Sequence, residues 1–197
     1  MIEFIKTNKS RLFLEELDQE TKDVFNKCIQ ECVSTKNDCI KKHPKIIVYG
    51  KVCHQRRNVG MFSDDSDGYT YSGQKAKSSP LTVNMINLLT LVNKKFNLNF
   101  NGILVNEYLT GEDYIGAHSD DENDLSDNIV VAISWGQERK FRIRRKETRK
   151  IECDIDTIPY HYIVMEGDFQ KEFTHEIPMQ KKIKEKRLSF TFRCHKT

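Results

Sequence analysis

From residue 100 onward, apolar residues recur at every second position in short runs. The runs are FNGILVNEYL (100–109), NIVVAISWG (128–136), KFRIRRK (140–146), YHYIVMEGD (160–168) and RLSFTFR (187–193). A period of two is typical of β-strands, because successive side chains of a strand point to opposite faces. Several short strands in succession, without helices between them, predict a β-sandwich or a barrel.

The first half of the chain has a different pattern. Apolar residues over 10–34 lie near a 3.6-residue period, which predicts a helix. A second helix is predicted over 79–96, with Ser79 as its N-cap. Between the two helices, KIIVYG (45–50) predicts a short strand, and a polar, glycine-bearing loop is predicted after Gly50, through SDDSDGYTYSGQ (63–74). The sequence therefore predicts an α+β domain in which a helical N-terminal half supports a β-rich C-terminal half.

Bulk composition suits a folded, non-membrane protein. The chain has 197 residues, of which 38% are hydrophobic and 31% charged, enough for one domain with a real core. No apolar run approaches the roughly 20 residues that span a bilayer, and MIEFIKTNKSRLF lacks the features of an export signal. The six cysteines form no disulfide framework, which favours a reducing compartment. We therefore expect an intracellular protein, in the nucleus or the cytoplasm.

Basic residues are concentrated in two segments. Residues 139–150 hold eight basic residues against one acid, and residues 181–187 hold five more. Such stripes are typical of proteins that bind a polyanion such as nucleic acid. A solvated face of a β-hairpin is the other interpretation, and the charges alone do not decide between the two.

HSD (118–120) offers a pair of metal ligands. Residues two apart in an extended segment face the same side, so His118 and Asp120 could bind one ion. A third ligand must come from elsewhere, and FTHEIP supplies His175. Two histidines and one carboxylate are the ligand set of non-haem Fe(II) oxygenases. Without further signals, a surface or core histidine explains His118 equally well.

RLSFTFR (187–193) adds an unusual polar face. Leu188 and the two phenylalanines share one side of this strand and can pack into a core, whereas Arg187 and Arg193 lie on the other side. Buried guanidinium groups need anions, and their geometry suits carboxylates. An edge strand with its polar face in water is the alternative. In LVNEYL, Asn106 and Tyr108 also face one way and could bind a small acid.

Five motifs, taken together, resemble the AlkB family of Fe(II)/2-oxoglutarate dioxygenases. They are NEYLTGEDYIGAHSDDE, SWGQERKF, FTHEIP, RLSFTFR and YTYSG. They occur in the family's order and near the family's spacing, and the resemblance covers about residues 45–194. The resemblance implies a double-stranded β-helix (jelly-roll) core over 100–197, a nucleotide-recognition part over 45–99 and a helical N-terminal part over 1–44. It implies that His118, Asp120 and His175 bind Fe(II) and act in catalysis. The residues that it implies for binding the co-substrate 2-oxoglutarate are Asn106, Tyr108, Arg187, Thr191 and Arg193.

The resemblance also implies a substrate and a reaction. With O2 as oxidant, the family demethylates N-alkylated bases such as 1-methyladenine and 3-methylcytosine, and a base in a duplex must first be flipped out of the stack. The residues that match the family's substrate side are Tyr49, Arg57, Tyr69, Tyr71, Ser72 and Glu122. Among them Tyr49 matches a wedge that opens the duplex, and Tyr71 is alternatively a plain core aromatic.

The resemblance favours direct repair of DNA by a monomeric enzyme of the DNA-repair branch. Three other functions stay open. The same chemistry could act on RNA or tRNA, the chain could bind nucleic acid with an inactive metal site, or it could oxidise protein side chains. The basic stripes disfavour the last of these.

Overall fold

The computed structural model describes residues 1–34, 39–48, 50–71, 74–121 and 128–196. The strands within these ranges are β1 (Ile2–Lys6), β2 (Ser10–Glu16), β3 (Lys45–Val48), β4 (Lys51–His54), β5 (Asn58–Phe62), β6 (Gly68–Tyr71), β7 (Gln74–Lys77), β8 (Gly102–Tyr108), β9 (Ile115–His118), β10 (Val130–Gly136), β11 (Lys140–Arg145), β12 (Ile151–Asp156), β13 (His161–Gly167), β14 (Phe173–Ile177) and β15 (Arg187–Arg193). The helices are α1 (Gln19–Val33), α2 (Val83–Phe96) and α3 (Phe169–Glu172). Among these helices none is long and apolar enough to cross a membrane.

Two antiparallel sheets face each other. The larger sheet has the order β1-β2-β13-β10-β15-β8-β5, and the smaller has the order β12-β11-β14-β9. Two separate hairpins, β3–β4 and β6–β7, lie outside both sheets. The predicted strands of the C-terminal half are all present, and this sandwich is the jelly-roll core that the sequence predicted.

The larger sheet is covered on both faces. On one face, Phe190 and Phe192 of β15 share a core with Phe25 of α1 and Leu88 of α2. On the other face, residues such as Ile163 of β13 pack with residues of the smaller sheet. Polar residues on that second face are therefore enclosed between the two sheets.

The predicted helix over 10–34 is wrong in its first third. Residues Ser10–Glu16 form β2, an inner strand between β1 and β13, and the helix begins only at Gln19. Both faces of β2 are buried, so its apolar residues are consecutive and imitate a helical pattern. Asp18 caps α1 by accepting a hydrogen bond from the Thr21 backbone N–H, at 2.8 Å. The part expected to be helical, 1–44, thus also supplies two strands of the larger sheet.

The second helix starts later than predicted. Thr82, rather than Ser79, caps α2 by accepting from the Met85 N–H at 3.2 Å. The Ser79 backbone is engaged elsewhere, since its N–H donates to the Met61 carbonyl at 2.8 Å. The region after Gly50 that was expected to be a polar loop, through residue 74, instead contains β4, β5, β6 and the start of β7.

Close contact between two loops requires a glycine at residue 111. The Gly111 N–H donates to the Ile183 carbonyl at 2.9 Å, and the Gln180 N–H donates to the Gly111 carbonyl at 2.7 Å. A Cβ atom at Gly111 would lie 1.9 Å from the Gln180 carbonyl oxygen. These contacts join the loop that leads into β9 to the loop that follows β14.

Gly111→Ala is expected to lower the free energy of unfolding by about 1–3 kcal/mol, because the added methyl group has no space. Gly116→Ala is the matched control, since a Cβ there meets no atom within 4 Å. The control is expected to change stability by less than about 1 kcal/mol. Urea unfolding of both variants measures the difference, and equal stabilities would contradict the importance of this contact.

Candidate active site

The polar face of β15 lines a cavity between the two sheets. Its odd-numbered residues are all buried there: Arg187, Ser189, Thr191 and Arg193. The neighbouring strand β8 brings Tyr108 opposite Arg187 and Asn106 opposite Ser189, and both residues line the same cavity. Because β15 lies between β10 and β8, the alternative of a solvated edge strand is wrong.

The three predicted metal ligands meet at one end of this cavity. Strands β9 and β14 pair in a register that puts His118 directly opposite His175, and Asp120 follows two residues after His118. The ligand atoms of these three residues lie within 4.8 Å of one another. The fold therefore assembles a site from residues that are 57 positions apart in the sequence.

Both histidines are suited to bind a metal in their neutral form. The His118 Nδ1 atom lies 2.9 Å from the Gly116 carbonyl oxygen, which can only accept, so the hydrogen is on Nδ1 and Nε2 carries the lone pair. Burial lowers the pKa of His118, although Asp120 opposes that shift. Burial, with the nearby His118, lowers the pKa of His175 to about 3.

Asp120 is the anionic member of the site. Burial acts to raise its pKa, but Arg193 and the two histidines outweigh burial, and the net shift is downward. The Arg193 Nη2 atom donates to Asp120 Oδ1 at 2.5 Å, and the Asp120 backbone N–H donates to the Gln170 side chain at 3.0 Å. The carboxylate is therefore ionised and held in one orientation.

The arrangement fits a divalent metal such as Fe(II). His118 Nε2 is 3.7 Å from Asp120 Oδ1, and His175 Nε2 is 3.7 Å from Asp120 Oδ2. These separations are too long for hydrogen bonds. The three side chains therefore lie close together although no hydrogen bond joins the two histidines to Asp120. Two neutral imidazoles and one carboxylate, largely shielded from water, form the facial ligand set of non-haem iron oxygenases.

Arg187 gives the cavity an anion-binding group. Its Nε atom donates to Thr157 at 3.2 Å, its Nη2 atom donates to Ser134 at 2.8 Å, and its guanidinium carbon lies 5.1 Å from the centre of the Tyr108 ring. Among the described residues its buried Nη1 atom has no hydrogen-bond partner. Burial lowers the pKa of Arg187 to about 10, which leaves it charged at neutral pH. An unpartnered N–H on a buried cation fits a ligand carboxylate.

Arg139 organises the surroundings of the metal ligands, although the sequence placed it in a basic stripe. Its side chain is fully buried and donates to the backbone carbonyls of Thr110, Asp113 and Pro178, at 3.1, 2.8 and 2.9 Å. These carbonyls belong to the loops that adjoin β9 and β14, the two strands that carry the histidines. The sequence gave no local signal for Arg139, Ser134 or Thr157 as site residues, because their roles depend on contacts between distant segments.

The predicted substrate contacts are only partly described. Tyr49, Ser72 and Glu122 lie outside the described residues, as do the side chains of Tyr69 and Tyr71, whose backbone is in β6. The remaining member, Arg57, is buried and lines the cavity, where its Nε atom donates to Asn106 Oδ1 at 2.7 Å. All six assignments to the substrate side stay predictions. The buried position of Arg57 is not one that a contact with nucleic acid at the protein surface would require.

The profile of the 2OG-Fe(II) oxygenase superfamily matches residues 11–193. The chain belongs to this superfamily. Among curated proteins, the oxygenase is 27% identical over 157 residues to the DNA oxidative demethylase ALKBH2 of Bos taurus, covering 76% of this chain and 56% of that protein. It is 30% identical over 139 residues to the alpha-ketoglutarate-dependent dioxygenase alkB homolog 3 of Rattus norvegicus, covering 64% of this chain and 46% of that protein.

The oxygenase is similar to these AlkB relatives, in agreement with the resemblance of its motifs, and it spans only about half their length. A solved structure with the same fold is a prolyl hydroxylase of Trichoplax adhaerens bound to a hypoxia inducible factor peptide. Its TM-score is 0.62 at 12% identity, covering 96% of this chain and 84% of that one. The superfamily uses Fe(II), 2-oxoglutarate and O2, and the cavity fits the first two through its three metal ligands and Arg187.

Asp120→Ala is expected to weaken Mn(II) binding by at least roughly 100-fold, since loss of outer-shell partners alone costs 10- to 100-fold. Isothermal titration of the purified protein with Mn(II), a redox-stable substitute for Fe(II), measures the change. Asp121→Ala is the matched control, because Asp121 is exposed and pairs with Lys146 at 2.8 Å. Wild-type affinity in Asp120→Ala would remove Asp120 from the ligand set.

Arg187→Ala is expected to weaken binding of 2-oxoglutarate by about 10-fold or more, because a hydrogen bond to a charged group contributes ~1.5–3 kcal/mol. The measurement is a titration of the Mn(II)-loaded protein with 2-oxoglutarate. Arg11→Ala, at an exposed ion pair on β2, is the control. The assignment fails if the Arg187 and Arg11 variants bind 2-oxoglutarate equally well.

Proposed function

We propose that this oxygenase removes methyl groups from N-alkylated bases of DNA, with 1-methyladenine and 3-methylcytosine as the expected lesions. The observation that carries the proposal is the metal-ligand triad beside a buried arginine with a free N–H, within one cavity. The names of the curated relatives, a DNA oxidative demethylase among them, support nucleic acid as the substrate class.

The residues of the chain have separate tasks in this reaction. When bound, Fe(II), 2-oxoglutarate and O2 supply the oxidation of the N-methyl group, which then leaves as formaldehyde while 2-oxoglutarate becomes succinate and CO2. His118, Asp120 and His175 hold the metal, and Arg187 anchors a carboxylate of the co-substrate. Apolar side chains of the cavity wall keep water away from the reacting groups, among them Leu104, Ile115, Ala132, Ile163, Met165 and Ile177.

The β3–β4 hairpin is suited to contact a duplex. Ile47 and Val52 pair across this hairpin and are 44% and 67% exposed, although both are apolar. Tyr49, the predicted wedge, follows β3 in the sequence but lies outside the described residues. An apolar hairpin beside the active site supports a mechanism in which the protein opens base stacking and receives a flipped base.

Of the two basic segments, 181–187 supports binding of a polyanionic substrate, whereas 139–150 does not. Most of the 139–150 stripe is neutralised by ion pairs, among them Arg142 with Asp154 at 2.7 Å and Arg145 with Glu152 at 2.7 Å. That stripe therefore matches the hairpin-face interpretation. The exposed residues Lys181 and Lys182, in contrast, have no acidic partner within 4 Å among the described residues. They lie in the segment that packs against the loop leading into β9.

The proposal includes a monomeric protein that acts inside the cell. Within the described ranges none of the six cysteines forms a disulfide.

The test is turnover of oligonucleotides that carry 1-methyladenine or 3-methylcytosine, as single- and double-stranded DNA and RNA. Reactions contain Fe(II), ascorbate and 2-oxoglutarate, and mass spectrometry measures loss of the methyl group. We expect demethylation of DNA that is abolished in Asp120→Ala. Turnover of RNA alone would keep the chemistry but overturn the DNA assignment, and no turnover on any strand would overturn both.

Tyr49→Ala is expected to reduce turnover of duplex DNA several-fold more than turnover of single strands, since unstacking costs a few kcal/mol per step. Tyr49→Phe keeps the ring and is the matched control, with activity near that of the wild type. An equal loss on both kinds of DNA in Tyr49→Ala would remove the wedge assignment.

A further inference from the structure

Arg57 is placed inside the cavity by strand pairing. It directly precedes β5, whose residue Val59 lies opposite Asn106 of β8. A buried hydrogen bond from Asn58 to Glu107, at 2.7 Å, fixes the register of these two strands. Arg57 is only 3% exposed and donates from Nε to Asn106 Oδ1 at 2.7 Å.

This contact engages one atom of the Asn106 amide, Oδ1, and leaves the other, Nδ2, for a further partner. An amide has one accepting oxygen and one donating NH2 group, whereas a guanidinium only donates. Arg57 can therefore engage Oδ1 but not Nδ2. The Asn106 amide nitrogen has no hydrogen-bond acceptor among the described residues, and Asn106 lines the cavity together with Tyr108 and Arg187.

A carboxylate ligand distinguishes sharply between the two amide orientations. With Nδ2 toward the cavity, Asn106 donates a hydrogen bond to a carboxylate oxygen. With the amide reversed, Oδ1 would face that oxygen and two acceptors would be opposed, as in any unsatisfied polar contact. The hydrogen bond from Arg57 favours the first orientation before the ligand arrives.

We propose that Arg57 is a positioning residue for 2-oxoglutarate, which it serves by holding the Asn106 amide with its NH2 group toward the co-substrate carboxylate. The inference rests on the oxygenase function proposed above. It gives Arg57 a task in co-substrate binding that needs no nucleic acid.

Two substitutions of Arg57 distinguish this positioning role from simple electrostatic attraction between the Arg57 cation and the 2-oxoglutarate dianion. In Arg57→Gln, the amide nitrogen occupies the same position along the side chain as Nε of arginine, so the donor is kept and the charge is lost. In Arg57→Lys, a methylene group replaces Nε, so the charge is kept and the donor is lost at that position.

The experiment titrates each Mn(II)-loaded variant with 2-oxoglutarate in the absence of nucleic acid. We expect Arg57→Lys to bind about 10-fold more weakly than the wild type and Arg57→Gln to stay within about three-fold of it. In an Asn106→Ala background, Arg57→Lys is expected to cause no further loss. Arg11→Lys and Arg11→Gln are matched controls, because Arg11 also donates from Nε to a side-chain oxygen, that of Glu3, but outside the cavity.

Several outcomes would contradict the proposed role of Arg57. Wild-type binding by Arg57→Lys, or a loss in Arg57→Gln as large as in Arg57→Lys, overturns the positioning role. So does a loss in Arg57→Lys that persists in the Asn106→Ala background. If the wild-type protein itself binds no 2-oxoglutarate, the oxygenase function fails, and the inference about Arg57 fails with it.

Discussion

Charged side chains buried between two sheets are the constraint on which the active site depends. Arg187, Arg193 and Asp120 are each at most 4% exposed, in a space otherwise walled by apolar side chains. Removing such charges from water is costly unless partners compensate for the lost hydration. Arg193 and Asp120 compensate each other directly. Arg187 relies on two hydroxyl groups and an aromatic ring, and retains one N–H for a ligand.

The two sheets contribute different parts of this site. The larger sheet supplies the arginines of β15 and the polar residues of β8, while the smaller sheet supplies both histidines. Arg139 connects the loops that adjoin the histidine strands through their backbone carbonyls. The ion pair between Asp120 and Arg193 joins the metal-ligand set directly to the polar face of β15.

Local sequence patterns correctly predicted those features of the site that depend on the alternation of side chains along one strand. The alternation in RLSFTFR correctly separated the polar face of β15 from its apolar face, and the spacing of HSD correctly paired His118 with Asp120. The sequence offered His175 as the third ligand, but no local pattern placed it beside His118, because the register of β14 with β9 is a contact between distant segments. Ser10–Glu16 was mistaken for helix since a strand buried on both faces loses its period of two.

Arg57 illustrates the same limit at the level of one side chain. The sequence matched Arg57 only to the family's substrate side, and no local pattern indicated that Arg57 is buried or that its partner Asn106 is 49 positions away. Charge composition was similarly ambiguous for the 139–150 stripe. The acids that neutralise it, such as Asp154 and Glu176, come from the adjacent strands β12 and β14, so only the sheet order reveals the pairing.

A crystal structure of the protein with Mn(II) and 2-oxoglutarate tests the central claim most directly. The account predicts anomalous density for one Mn(II) ion among His118, Asp120 and His175, with a carboxylate of 2-oxoglutarate bound to the free N–H of Arg187. A metal ion at other residues, or a 2-oxoglutarate molecule that leaves Arg187 without a carboxylate partner, would contradict it.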